Sequence, residues 1–242
     1  MLQSLFKAAR LFQPSELRFG CWTCPICGNP FQIRLCVDEM GVRCMRCGAS
    51  PVSQSIVDVI KSECPDLPAL AVYELSSRGK VVDWLRAHVG SLMTSEYIPQ
   101  VAVGEVFQGV RCEDVQGLTF EDASFDLCTC TEVFEHVSND RAGFEQVRRV
   151  LRPGGKFIFT VPLSGAQLTI ERVRVHDGQL IHVLEPEYHG DPFAHGERVL
   201  CVRNYGADIL DRLREAGFSR ASLVRPRSGM MRHARTVIVA ER

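Results

Sequence analysis

The stretch "FDLCTCTEVFEHV", residues 125–137, changes character halfway. Its first part, Phe125–Thr131, is apolar or small apart from Asp126, the composition of a strand covered on both faces. Glu132, Glu135 and His136 follow, set around Val133 and Phe134. A buried strand gains from ending on carboxylates and an imidazole where that end meets a ligand. Open parallel sheets bind ligands there, at the carboxyl ends of their strands.

Working outward, similar apolar runs occur at "ALAVYEL" (Ala69–Leu75), "SLMTSEY" (Ser91–Tyr97), "GVRCED" (Gly109–Asp114) and "KFIFTVP" (Lys156–Pro162). Helical intervals alternate with them, including "GKVVDWLRAH" and "RAGFEQVRRVL", whose Phe144, Val147 and Leu151 share a face. "RPGG" at Arg152–Gly155 is expected to stop the second helix and turn into the next strand. "ADILDRLREAGF", "ASLVRP" and "ARTVIVAER" read as a further helix and a closing pair of strands. This alternation predicts an α/β, doubly wound parallel sheet. Its first four strands end in Glu74, Glu96, Asp114 and Glu132. Such a row of acids repels a pyrophosphate and suits a ligand with an amino group, ribose hydroxyls and an adenine amine.

The order of motifs over roughly residues 69–242 resembles class I S-adenosylmethionine-dependent methyltransferases. "DASFDLCTCTEVFEHV" followed by "VRRVLRPGGKFIFTVP" is similar to that family's fourth- and fifth-strand motifs. The resemblance implies a Rossmann-like seven-stranded methyltransferase sheet and S-adenosylmethionine as cofactor. It places Glu74 in the first cofactor motif, Glu96 on the ribose hydroxyls and Asp114 on the adenine amine, with Val115 packed on the adenine. Tyr97, Thr131 and Glu132 join the expected cofactor contacts. Glu96 lies 22 residues after Glu74, near the usual gap to a ribose acid. The first loop departs from the family: "ELSSRG" (Glu74–Gly79) has one glycine, Gly79. Ser76 and Ser77 are small and can donate hydroxyl hydrogen bonds to the methionyl carboxylate, and Arg78 could pair with it.

His136 is the first candidate for deprotonating or positioning the acceptor, since imidazole titrates near working pH. Glu132 or Glu135 could instead cap a helix beginning near "VFEHV". A second cluster lies in "LEPEYHGDPFAHGE" (Leu184–Glu197), where a turn around Gly190 and Pro192 could gather Tyr188, His189 and Asp191. His189 and Asp191 are expected to complete the catalytic set. As a metal site, the pair His189 and His195 lacks further obvious ligands. "ERVRVHDGQLIHVL" reads as a hairpin forming a lid or wall for the substrate pocket.

Six of the 11 cysteines lie before residue 50. "CPICG" and "CMRCG" form a Cys-x2-Cys…Cys-x2-Cys pair with 16 residues between, the spacing of a zinc ribbon. Cys24, Cys27, Cys44 and Cys47 are the expected ligands of a structural Zn²⁺. Cys21 has competing spacing, and Cys36 reads as a small buried residue in a strand with Ile33 and Leu35. Residues 1–62 are expected to hold an amino-terminal helix (Met1–Gln13) and the ribbon. Residues 63–242 would form the methyltransferase domain, with a substrate-side insertion over about 163–204.

Cysteine richness without an export signal points to a reducing, cytoplasmic setting. No run is long enough for a transmembrane segment. A net charge of −1 and a pI of about 6.7 give no global attraction to nucleic acid. Residues 1–62 hold seven Lys/Arg against four Asp/Glu without a basic-aromatic cluster. The leading expectation is an enzyme methylating a small-molecule or glycan-type acceptor. The rivals are an RNA or protein methyltransferase reading its substrate through the ribbon, and a non-catalytic methyltransferase-like binding protein. Neither the acceptor nor the oligomeric state can be read from the residues.

Overall fold

The computed structural model describes residues 12–176, 179–190, 198–227 and 230–242. Asp191, His195 and almost all of the expected amino-terminal helix lie outside these residues.

Three short antiparallel strands come first, β1 (Arg18–Cys21), β2 (Phe31–Arg34) and β3 (Val42–Cys44). Gly28 and Gly48 both have φ of 73°, and their N–H groups donate to the carbonyls of Cys24 and Cys44, each at 2.9 Å. Side chains disfavour that left-handed conformation, so glycine lets each Cys-x2-Cys segment curl back on itself. Cys36 is buried as expected but lies beyond the end of β2, its Sγ 3.2 Å from an Asp38 carboxylate oxygen. The strand ends early because the chain folds tightly back here. A Cβ on Gly41 would lie 2.4 Å from the Cys36 sulfur.

Helix α1 (Pro51–Glu63) starts at Ser50, whose hydroxyl accepts from the Ser53 N–H, with proline in the first turn. Its Ile56, Val57, Val59 and Ile60 are buried with Val72, Trp84, Leu127, Ile158 and Val237, within the core of the main sheet. Gln54 on the same helix exchanges two 3.1 Å hydrogen bonds with Gln32 of β2. The helix is therefore shared between the cysteine-rich unit and the α/β unit, across the boundary expected at residue 62.

The main sheet comprises β4 (Ala71–Glu74), β5 (Ser91–Glu96), β6 (Val106–Phe107), β7 (Val110–Cys112), β8 (Phe125–Thr131), β9 (Leu151–Thr160), β16 (Arg220–Val224) and β17 (Val237–Glu241). Their order is β16-β17-β9-β8-β4-β5-β7-β6. Pairings from β7 through β9 are parallel, whereas β17 runs antiparallel to β9 and β16. Seven of these are the expected strands. The eighth, β6, is a two-residue partner of β7, closed by a turn with positive φ at Gln108 (49°) and Gly109 (78°).

Helix α2 (Lys80–His88) follows β4, α3 (Asp140–Val150) follows β8, and α4 (Ile209–Glu215) precedes β16. Alternation along the strands separates two cores. Leu127 and Ile158 face the α1–α2 layer, while Cys128, Cys130, Phe157 and Phe159 pack with Phe134, Phe144, Ile209 and Leu213. "RPGG" lies within β9 rather than before it. Pairing jumps from Phe125↔Leu151 to Leu127↔Lys156, so the extra residues form an irregularity, with Gly154 at φ 75°. Between β9 and α4, three antiparallel pairs stand off the sheet. They are β10 (Ile170–Glu171) with β15 (Arg203–Asn204), β11 (Val173–His176) with β12 (Gln179–His182), and β13 (Glu187–Gly190) with β14 (Arg198–Cys201). Among the described residues, no helix is long and apolar enough to cross a membrane.

Candidate active site

The carboxyl ends of β8, β4, β5 and β7 lie side by side, which brings the expected acids to one edge. The loop after β4 closes on the end of β5. The Ser77 N–H and hydroxyl donate to Glu96 Oε1 at 2.8 and 2.9 Å, and the Ser76 hydroxyl lies 3.5 Å from the same oxygen. Gly79, with φ 117°, turns the chain into α2, so the one glycine of this loop occupies a position that needs it. Glu74 is 1% exposed and accepts a 2.5 Å hydrogen bond from the Thr129 hydroxyl. Burial pushes its carboxyl up to about 8, the Thr129 bond opposing this and the Glu96 charge adding to it. It underlies the loop, whereas Glu96 is partly open.

At the end of β7, Asp114 is half-buried and caps a single turn by accepting from the Gln116 N–H at 2.9 Å. Its neighbour Glu113, which the sequence reading passed over, is buried and bound to Arg111 at 2.7 Å and to the Thr119 N–H at 2.9 Å. Tyr97 is exposed, and Val115 packs into the core cluster containing Phe134 and Phe144.

Beyond β8, Thr131 pairs with Thr160, and Glu132 then takes φ 54°, turning the chain sharply. Glu132 Oε2 lies 3.2 Å from Arg235, which also pairs with Glu39 of the amino-terminal unit at 2.5 Å. Burial raises the Glu132 carboxyl and Arg235 opposes it. Beside Arg235 opens a cleft of about 270 Å³ whose lining includes Glu39, Leu163, Arg232 and His233. Residues Phe134–His136 form one 3-10 turn, and α3 begins only at Asp140, with Asn139 accepting from the Ala142 N–H. Neither Glu132 nor Glu135 caps it.

Glu135 instead points inward. It is 1% exposed, and neither carboxylate oxygen has a hydrogen-bond partner. Its Oε1 lies 3.7 Å from His136 Nε2 and 3.8 Å from His189 Nδ1. Burial, reinforced by the Glu132 charge, pushes the Glu135 carboxyl well above the usual range. His136 Nδ1 faces the Leu200 carbonyl at 2.8 Å, and His189 Nε2 faces Glu187 Oε1 at 3.1 Å. The two rings meet edge-on at 5.1 Å.

The structure thus brings His136 and His189 together from distant segments. His189 sits on β13 rather than in a turn, and successive strand residues face opposite ways, so exposed Tyr188 leaves the cluster. The sequence points to Glu135 only as a strand-end acid or helix cap, and does not mark Arg235 or Glu39. The doubled acid in "EVFEH" was the available signal for Glu135, but it does not say which glutamate turns inward.

In the amino-terminal unit, the Sγ atoms of Cys24, Cys27, Cys44 and Cys47 all lie within 4.8 Å of one another. Cys24 and Cys47 are 3.8 Å apart, and Cys27 and Cys44 3.5 Å. A tetrahedron with Zn–S bonds of about 2.3 Å has edges of about 3.8 Å, so the four thiols fit that ion. Cys21 is exposed and outside this group.

Residues 76–159 match the sequence model of a family described as "Methyltransferase domain". The chain is 34% identical over 50 residues to the ubiquinone biosynthesis O-methyltransferase of Coxiella burnetii. That match covers 21% of this chain and spans 21% of the relative's length. Among solved structures, the chain is similar to an S-adenosylmethionine-bound amino pentose methyltransferase from Micromonospora echinaspora involved in calicheamicin biosynthesis. The TM-score is 0.52 at 16% identity, covering 81% of this chain and 92% of the other. It is also similar to an S-adenosylmethionine-dependent methyltransferase from Mesorhizobium loti, with TM-score 0.49 and 16% identity over 78% of this chain and 98% of the other. Residues 76–159 thus match a methyltransferase domain, and the sheet that contains them has the Rossmann-like fold of the amino pentose methyltransferase.

Proposed function

We propose that this protein transfers the methyl group of S-adenosylmethionine to a hydroxyl of a small-molecule or glycan-type acceptor. The closure of Ser77 onto Glu96, at the crossing from β4 to β5, carries this reading. A carboxylate oriented there by a backbone N–H and a hydroxyl is preorganised to accept from ribose hydroxyls. Glu96 then binds the ribose and Asp114 the adenine amine, with Tyr97 and Val115 at their sides. Ser76, whose hydroxyl makes only a long 3.5 Å contact to Glu96, meets the methionyl carboxylate, because the Ser77 hydroxyl is held at 2.9 Å. Glu74, Gly79, Thr131 and Glu132 shape the floor and rim.

The bound sulfonium supplies an electrophilic methyl, so the protein has chiefly to align and deprotonate the acceptor. The acceptor oxygen forms the new O–C bond as the C–S bond breaks, and the sulfur leaves as a neutral thioether. The hydroxyl proton is released at the acceptor side of the site, where Glu135, His136 and His189 meet, with Asp191 kept as a candidate on its sequence position alone. A net charge of −1, with no basic-aromatic cluster in residues 1–62, favours a small acceptor over a nucleic acid. Cys24, Cys27, Cys44 and Cys47 hold a structural Zn²⁺, and the ribbon braces one wall of the cleft beside Arg235 through Glu39. Free thiols of this number suit a reducing compartment such as the cytoplasm.

The reading is tested by incubating the protein with methyl-labelled S-adenosylmethionine and extract of its source cells, then separating products by size. We expect label in low-mass species. Label confined to RNA or protein would overturn the acceptor class, and failure to bind S-adenosylmethionine would overturn the methyltransferase reading.

A further inference from the structure

Two histidines from segments more than fifty residues apart aim ring nitrogens at one oxygen of Glu135, a carboxylate that is 1% exposed and has no hydrogen-bond partner. A buried charged group is ordinarily hydrogen-bonded, paired or bound to metal. Here the partners stand at 3.7 and 3.8 Å, too far for hydrogen bonds. The far side of each imidazole is fixed. Assigned as a donor, His136 Nδ1–H bonds the Leu200 carbonyl, and His189 Nε2–H bonds the Glu187 carboxylate. Holding one ring nitrogen on a carbonyl or carboxylate turns the other towards Glu135, the arrangement that orients metal-binding histidines.

We propose that Glu135, His136 and His189 bind a divalent transition-metal cation in addition to the zinc of the cysteine cluster. The three ligand atoms lie within 4.8 Å of one another. Bonds of about 2.0–2.1 Å require ligand spacings of about 3.0–3.4 Å, reached by small side-chain rotations. One carboxylate and two imidazoles suit Mn²⁺, Fe²⁺, Co²⁺ or Zn²⁺ better than Mg²⁺ or Ca²⁺, which prefer all-oxygen sets. Three protein ligands leave positions open for an acceptor oxygen. Glu132, whose Oε1 is also buried without a hydrogen bond, adds negative charge beside Glu135.

The cation's catalytic role rests on the proposed methyl transfer, whereas its binding does not. A bound cation would lower the acceptor's pKa, and the hydroxyl proton would leave to solvent because His136 Nε2 is then a ligand. Since His189 lies on β13, the ion would also clamp the insertion onto the turn after β8.

Mn²⁺ separates this site from the cysteine cluster, because thiolate sites select softer ions. The full chain, purified with its zinc, is titrated with Mn²⁺ and followed by electron paramagnetic resonance and calorimetry, without cofactor or acceptor. We expect one Mn²⁺ per chain, lost in His189→Ala and in Glu135→Gln, with zinc content unchanged. S-adenosylhomocysteine affinity, measured in parallel, checks that the variants are folded and reports separately on the methyltransferase reading. If the wild type binds no Mn²⁺, or folded variants bind it equally well, the proposal is wrong. Should both variants fail to fold, wild-type stoichiometry decides it.

Discussion

Glu74 and Glu96 end neighbouring strands, yet their surroundings make them different groups. Glu74 is enclosed and its carboxyl is raised to about 8, while Glu96 is partly open and held by Ser77. Because its folded value exceeds the unfolded one, Glu74 carries a proton in the native state that the unfolded chain has released. Stability therefore falls as pH rises from about 4.5 towards 8. Glu74→Gln, which stays neutral, should flatten that decline, so its melting temperature should gain on the wild type between pH 6 and pH 9. Thermal melts across pH check this, and parallel curves would mean that Glu74 is already ionised. At the acceptor side, His136→Ala should leave S-adenosylhomocysteine affinity within a few-fold while lowering turnover by about 10²–10⁴-fold. Undiminished turnover would remove His136 from the reaction. The sequence marked the four acids at the strand ends but could not rank them. Which of Glu132 and Glu135 turns inward depends on a left-handed φ at Glu132, a conformation its residue type does not announce.

Elements with strong local chemistry were legible, and those set by distant contacts were not. The paired cysteines with their following glycines specify the two knuckles locally, and the apolar runs specify β4, β5, β8 and β9. The continuation of β9 back through "RPGG" depends on pairing with β8, and Cys36 leaves its strand because of Gly41. Gly190 and Pro192 suggest a turn gathering His189 with its neighbours, but pairing with β14 holds His189 extended. The contact between ribbon and helix rests on a buried amide pair. Gln54→Ala leaves the Gln32 amide enclosed without its partner and should cost about 1–3 kcal/mol, visible as a lower denaturant midpoint. An unchanged midpoint would mean that water replaces the lost amide. Cys44→Ser should lower zinc content and expose residues 20–50 to protease, while the α/β sheet stays folded. Full zinc occupancy in that variant would place the ion elsewhere.

Across the molecule, alternation of strands and helices foretold the doubly wound sheet and its closing pair of strands, but not that β17 runs antiparallel to β9 and β16. It could not foretell that α1 would serve both units, nor that Arg235, near the carboxyl terminus, would join Glu39 of the ribbon to Glu132 of the site. Those links join residues 196 and 103 positions apart, and no local pattern encodes them. They tie the amino-terminal unit to Glu132 at the end of β8, two strands along the sheet's carboxyl edge from β5, where Ser77 and Glu96 meet. Calorimetric titration of the full chain with S-adenosylhomocysteine, compared with Glu96→Ala, tests most directly whether that edge is a cofactor site. The wild type should bind one equivalent, and the variant should lose about 1.5–3 kcal/mol, roughly 10- to 150-fold in affinity, for want of the charged acceptor. Binding that is absent from the wild type, or equal in both proteins, would contradict the placement of the cofactor at Glu96.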